Sequence, residues 1–522
     1  MPRSRSDRAV LDVRRPSNND PGRIATALVL LVFASFRPLG VWAANFAGVG
    51  HWERLLLISA ALWLLEVFTL SVLVRVGIRS TTALIAVAGS LLFVVAGRSF
   101  TSGLGRITGW IFFLVALALA LLVISRISDH RPLWIAMLVA TIYVASGTVI
   151  SAVQSATSFG HSEAIIDSSL QVELRRTPDI FLVLLDGYPA STEFREETSA
   201  RGAGPAVYDD LESLGFTVFR SAWSAYPTTT ASFPSMLNMA YVLEDGAVVD
   251  TATERELYAS IGGNNRFNTA LRANGYSTTM IESGWGGSSC GAVDTCISAP
   301  FLDESVFWTV EGSPFRRDVL TAYGYSFTAG ARHTMDWLLN NAETMNRNGM
   351  PDFVLGHVMA PHPPFFLDQE CDVAFEERRS GVQFARSEVT LDARASFFDE
   401  QANCIDSFML SLGDLIDDET VVIFVADHGT DARNQLNLSS TDWGPEEIEE
   451  RMHVFLAMSE AGCNFRDGIV LPEVLAMLLE CISGVDQGHI EQRIFIGEAS
   501  GTGTDRGVKE LSPDHVRQLV DS

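Results

Sequence analysis

Lysine is almost missing from this chain of 522 residues: Lys509 stands alone against 36 arginines. That split follows a genomic preference for GC-rich codons and carries no function by itself. With 37 basic against 63 acidic residues the net charge is −26, and such an acidic chain repels polyanions, which argues against nucleic acid as a partner. Cysteine is scarce and confined. None precedes residue 290, and the six that follow (Cys290, Cys296, Cys371, Cys404, Cys463, Cys481) contain no C-x-x-C pair, which excludes zinc-type Cys spacing. An even number restricted to one part of the chain fits an oxidising compartment. The close pair in CGAVDTC (290–296) is the expected disulfide, with six unrelated buried thiols as the competing reading.

Acidic residues are rare in the first 153 positions, 6 against 14 arginines, whereas the remainder holds 57 acidic against 23 basic. The poor region is also the apolar one. Five stretches, roughly 24–45, 54–74, 81–97, 107–125 and 133–153, approach the ~20 residues that cross a bilayer. Arg37 interrupts the first, where a cleaved signal peptide ending near Ala43 and Ala44 is the alternative. Arginines 3, 5, 8, 14, 15 and 23 place the N-terminus inside, and five spans then put the C-terminal part outside, in agreement with its cysteines. The expected organisation is a basic tail (1–23), a membrane bundle (24–153), a polar connector (154–177) and an extracytoplasmic domain (178–522). Mid-membrane charge is limited to Arg37 and Glu66, too little for a transport path.

Beyond residue 177 the pattern changes to short apolar runs separated by helical periodicity. PDIFLVLLDGYPAS (178–191) and ETVVIFVADHGTD (419–431) read as strands buried on both faces, each ending in charged groups. Runs at 216–220, 276–281, 352–359 and 453–458 read as further strands, and 266–275, 330–345 and 396–416 as helices. The expected fold is α/β with a mostly parallel sheet between helices, its ligand crevice at the carboxyl ends of the strands. Asp186, Asp427 and His428 would meet there as hard and borderline ligands for a divalent cation, leaving room for an oxygen nucleophile. A threonine hydroxyl, inert alone, is activated beside such a cation. The acidic runs DDE (417–419) and EEIEE (446–450) read as solvated surface.

LVLLDGY, YPTTTASFPSMLNM, GHVMAPHPPF and FVADHG, in that order, resemble the alkaline phosphatase superfamily. More narrowly they are similar to its membrane-anchored, sulfatase-like branch, which includes lipoteichoic acid synthases and lipid A phosphoethanolamine transferases. The resemblance covers the membrane architecture and roughly residues 178–460. It implies a phosphotransferase or phosphoric ester hydrolase of the bacterial envelope, with a lipid or glycolipid substrate and zinc or manganese as cofactor. It implies that Asp186, Asp427 and His428 are metal ligands. The transferases' Thr, two residues, then Ser-x-Pro, falls here on Thr229, Ser232 and Pro234, making Thr229 nucleophile and ligand, with Thr228 and Thr230 as alternatives.

Those enzymes usually have Glu at the Asp186 position, so transfer and hydrolysis both stay open. His362 and His453 match histidines that would bind the substrate phosphate or a second metal. His357, inside an apolar run, reads first as a core histidine. Trp308, Arg316 and Arg317 are candidates for contact with an anionic head group. The formylglycine pattern C/S-x-P-x-R of true sulfatases has no match; GSPFR (312–316) begins with Gly. A sulfuric ester hydrolase and a non-catalytic envelope-binding protein are the competing functions.

Overall fold

The computed structural model describes residues 52–75, 170–190, 204–298, 316–342, 349–363, 365–373, 391–417, 419–431, 438–459, 462–463, 465–499 and 506–520. They fall into two compact units, with residues 55–75 in the first and everything from residue 170 onward in the second. In the first, α1 (Trp52–Arg75) lies on the second apolar run. Among residues with described side chains, no helix is long and apolar enough to cross a membrane. The other four apolar runs, Trp308, and the side chains of Arg316 and Arg317 lie outside the described residues.

The second unit is an α/β domain. Its strands are β1 (Ile180–Leu185), β2 (Phe216–Val218), β3 (Ala222–Trp223), β4 (Val248–Val249), β5 (Ser277–Ile281), β6 (Thr295–Ile297), β7 (Asp352–Val358), β8 (Val421–Ala426), β9 (Leu456–Ser459), β10 (Ile469–Val470), β11 (Phe495–Ala499) and β12 (Arg506–Glu510). Seven form the main sheet in the order β2-β9-β8-β1-β7-β5-β6. The stretch from β8 to β6 is parallel; β9 runs antiparallel to β8, and β2 to β9. Small sheets β10-β3 and β11-β12-β4 complete the domain. The two long apolar runs become β1 and β8, neighbours at the centre, as their unbroken hydrophobicity requires.

Every β1 side chain, from Ile180 to Leu185, is at most 1% exposed. At about 1.5–3 kcal/mol per buried aliphatic or aromatic side chain, this strand contributes on the order of 10 kcal/mol before chain entropy is subtracted. The helices α2 (Gly204–Ser213), α3 (Thr229–Asn238), α4 (Thr251–Ile261), α5 (Arg266–Ala273), α6 (Arg316–Asn341), α7 (Leu391–Leu415), α8 (Pro445–Met452) and α9 (Pro472–Ser483) follow the strands. Helix α3 buries Phe233, Met236 and Leu237 completely. All six cysteines are paired, as Cys290–Cys296, Cys371–Cys404 and Cys463–Cys481.

Candidate active site

Three strands end at one edge of the main sheet. Leu185 of β1 is level with Val358 of β7 and Ala426 of β8, so the next residues out, Asp186 and Asp427, stand side by side. His428 follows Asp427, and His357 pairs with Leu184 one step below the edge. Gly187 turns the chain at φ +73°, a conformation in which a Cβ is strained, and its N–H donates to Asp427 Oδ1 at 3.3 Å. Tyr188, next in LDGY, is core: its hydroxyl bonds Asp406 of α7 and its ring lies 5.1 Å from Phe455.

The threonine-rich stretch folds as the start of α3. Thr228 takes the N-cap position with extended backbone, and Thr229 is the first helical residue. One turn in, Ser232 donates to the Asp427 carbonyl at 2.7 Å, and the Ser224 hydroxyl reaches the same carbonyl. The helix start is thereby fixed to the strand end that carries Asp427 and His428. Thr229 Oγ1 lies 3.2 Å from His428 Nε2 and also hydrogen-bonds Asp427. Thr228 and Thr230 are half-buried, and among the described contacts neither side chain reaches the cluster. Ser232-Phe233-Pro234-Ser235-Met236 also misses the formylglycine pattern at one position, since Met236 replaces its arginine, and Ser232 is fully buried.

The protons in this cluster are determined by its neighbours. The Gly429 carbonyl can only accept, so His428 Nδ1, 2.9 Å away, donates and Nε2 carries a lone pair. That lone pair faces Asp186 Oδ1 at 3.6 Å and Asp427 Oδ2 at 3.3 Å. Burial, joined by the positive charge of Arg451, holds the His428 imidazole well below its ordinary range, in the neutral form a ligand needs. Burial and the adjacent Asp186 charge push the Asp427 carboxyl up. Burial also opposes ionisation of Asp186, but the charge of His362 and the adjacent His357 ring outweigh it and hold that carboxyl below the usual range.

Asp186 Oδ1, Asp427 Oδ2 and His357 Nε2 are buried without a hydrogen-bond partner. Unpartnered lone pairs converging in a dry site repel one another and cost free energy unless a cation lies between them. The ligand atoms of Asp186, Asp427 and His428 all fall within 4.8 Å of one another. This donor set fits a divalent ion. A second grouping of Glu282 with Cys290 and Cys296 does not, because both cysteines are in a disulfide and offer no thiolate.

The remaining histidines divide. His362 N–H donates to the Asp186 carbonyl at 2.9 Å and its ring lies 6.4 Å from His428, which places His362 beside the cluster. Helix α7 holds that loop through Gln401, which bonds the His362 carbonyl at 3.1 Å and Leu367 N at 3.1 Å. His357, read first as core, is 0% exposed, yet its Nε2 sits 3.4 Å from Asp186 Oδ2. The signal was its spacing from His362 in GHVMAPH.

His453 is not brought to the cluster. Its ring stacks on Trp223 at 4.7 Å, Nδ1 lies 2.8 Å from Glu449 Oε1, and Nε2 lies 3.0 Å from the Arg220 carbonyl. Both nitrogens have neighbours within the fold, and among the described contacts neither reaches the cluster. The reading of EEIEE as solvated surface is corrected at Glu450, which is 3% exposed and accepts from Thr430 Oγ1.

The cluster thus joins two acids, an imidazole and a hydroxyl at a helix start. A family model described as Sulfatase matches residues 178–454, and the chain belongs to that family, within the alkaline phosphatase superfamily. It is a sulfatase-like hydrolase or transferase. Among solved structures it is similar to the integral membrane lipooligosaccharide phosphoethanolamine transferase A of Neisseria meningitidis. That match has 14% identity and TM-score 0.38, covering 88% of this chain and 95% of that one. It is also similar to the zinc complex of the C-terminal periplasmic domain of EcEptC from Escherichia coli, at 11% identity and TM-score 0.37, covering 69% and 99%. A third is a putative sulfatase of Bacteroides fragilis, at 12% identity and TM-score 0.35, covering 65% and 86%. Among curated proteins, none matches this chain.

Proposed function

We propose that this chain is a membrane-anchored, divalent-metal-dependent phosphotransferase or phosphoric ester hydrolase that acts on a lipid or glycolipid of the bacterial envelope through Thr229. The observation that carries this reading is the position of Thr229 Oγ1, 3.2 Å from the His428 lone pair and beside ligand atoms without partners. Zinc or manganese held by Asp186, Asp427, His428 and Thr229 would supply Lewis acidity that favours loss of the hydroxyl proton and offsets charge on phosphoryl oxygens.

The protein's own groups account for the rest. Ser232 and the Asp427 carbonyl fix the hydroxyl at the sheet edge. The N-terminus of α3 presents its first N–H groups and positive dipole end to an anionic substrate. Thr229 Oγ1 attacks phosphorus in line, the Oγ1–P bond forms, and the ester P–O bond breaks with its electron pair leaving on the alcohol oxygen, which takes a proton. An acceptor hydroxyl or water then attacks the phospho-threonine and restores Thr229. His362, beside the cluster, is placed to meet the phosphate.

Five apolar runs behind an arginine-rich tail support a multi-pass inner-membrane anchor, with the catalytic domain on the periplasmic or extracellular side. Three disulfides support the same side. The family match favours a second reading, a sulfuric ester hydrolase, but the absence of C/S-x-P-x-R argues against its formylglycine chemistry. Quenched turnover followed by peptide mass spectrometry tests the proposal. A phosphate on Thr229 is expected, with activity lost in Thr229→Ala by at least ~1,000-fold. Full activity in that variant sinks it.

A further inference from the structure

Arg451 does no work in the mechanism above, yet its guanidinium lies beneath the site and is 3% exposed. Burying a guanidinium is costly unless its donors are satisfied, so the partners of this one are informative. Nε donates to the Pro227 carbonyl at 2.7 Å, and one terminal nitrogen donates to the Gly429 carbonyl at 2.8 Å. Pro227 is two residues before Thr229, on the turn that starts α3. Gly429 follows His428, and its carbonyl is the acceptor that orients the His428 ring. The backbone adds a third tie, because Gly429 N–H donates to the Arg451 carbonyl at 2.7 Å.

One planar group thus spans two segments more than 200 residues apart in sequence. We propose that Arg451 is a positioning residue for this metal site, holding the nucleophile turn and the His428 loop at the separation that lets Thr229, Asp427 and His428 share one cation. The proposal rests on the reading of the cluster as a metal site. Two-pronged geometry is central to it. A lysine at this position keeps the charge, but its donors radiate from one nitrogen on a flexible stem and lack the rigid planar fork that fixes the separation of two carbonyls. If Arg451 served only to balance buried negative charge, lysine would suffice.

The test uses the full chain in detergent, as wild type, Arg451→Lys and Arg451→Gln, with two readouts. Zinc affinity is measured by calorimetry on chelator-stripped protein, and kcat and KM are measured with 4-nitrophenyl phosphate. Groups that orient metal ligands cost about 10–100-fold in affinity or activity when changed. Arg451→Lys is therefore expected to bind zinc about 10–100-fold more weakly and to lose kcat in proportion, with KM little changed. Wild-type zinc affinity in folded Arg451→Lys overturns the proposal. Should Arg451→Gln fail to fold, the lysine variant decides alone. Zinc binding by wild type without turnover of any phosphate ester defeats the proposed function, while the affinity ratio still decides the role of Arg451.

Discussion

Gly429 offers a direct test of how tightly the His428 loop is seated. A Cβ built on it would stand 2.0 Å from the Glu450 carbonyl oxygen, 3.1 Å from Glu450 C and 3.4 Å from Arg451 Cα. All three are backbone atoms at the end of α8, so no side chain can swing aside. Real Cβ contacts below 3.0 Å essentially do not occur, and Gly429→Ala must move the loop about 1 Å or more from α8. That motion strains or breaks the bonds of Gly429 N to the Arg451 carbonyl (2.7 Å) and of Arg451 to the Gly429 carbonyl (2.8 Å). Two buried bonds at roughly 1 kcal/mol each, with overpacking at about 1–3 kcal/mol, give a loss of about 3–5 kcal/mol. For a domain of about 345 residues such a loss lowers Tm by about 4–7 °C. A displacement of ~1 Å at a catalytic group is also worth about 100-fold in rate. Differential scanning calorimetry and zinc titration of Gly429→Ala measure both effects. A Tm within about 1 °C of wild type, together with unchanged zinc affinity, would refute the reasoning.

Stripping the ion with chelator should lower Tm, by the equivalent of about 2.7 kcal/mol if the ion was present at 100 times its dissociation constant, and zinc or manganese should restore it; a melting curve indifferent to both rules out a resident cation. Glu254 gives a pH signature away from the site. Burial raises its carboxyl above the ordinary 4.5, against the opposing pull of the Tyr258 hydroxyl bond. A raised folded-state value means that stability present below pH 4.5 is lost as pH rises through it. Glu254→Gln, which cannot ionise, should therefore melt higher than wild type at pH 7 and converge with it near pH 4; a constant difference across that range contradicts the assignment.

The sheet centre was legible because β1 and β8 are buried on both faces, and a period-free apolar run has few other meanings. The same runs end in the residues of the site, so Asp186, Asp427 and His428 could be read together from their strand ends. Thr229 was readable only through family resemblance, since three adjacent hydroxyls have no local feature that separates them. The helix start separates them by seating Thr229 alone against His428. His357 was hidden by its apolar neighbours, and its ring reaches Asp186 only through the β1–β7 register. Arg451 sits at the end of an acidic helix and resembles any helix-terminal cation; its partner carbonyl is 224 residues away. His453 stands at the end of α8, where its ring stacks on Trp223 and lies beside Glu449, contacts that no local spacing reveals. The bridges Cys371–Cys404 and Cys463–Cys481 span 33 and 18 residues, separations that no local spacing rule singles out.

The parallel pairing of β1 with β8 also matters during synthesis. Gly187 and the Asp427 carboxylate it donates to are 240 positions apart, and residues up to Arg451 are needed to seat the loop. A nascent chain that has made its nucleophile turn still has no reactive centre, because half the ligands have not yet left the ribosome. The cluster can therefore assemble only late in translation, and a truncated product that ends before Asp427 has Thr229 without Asp427 and His428 beside it.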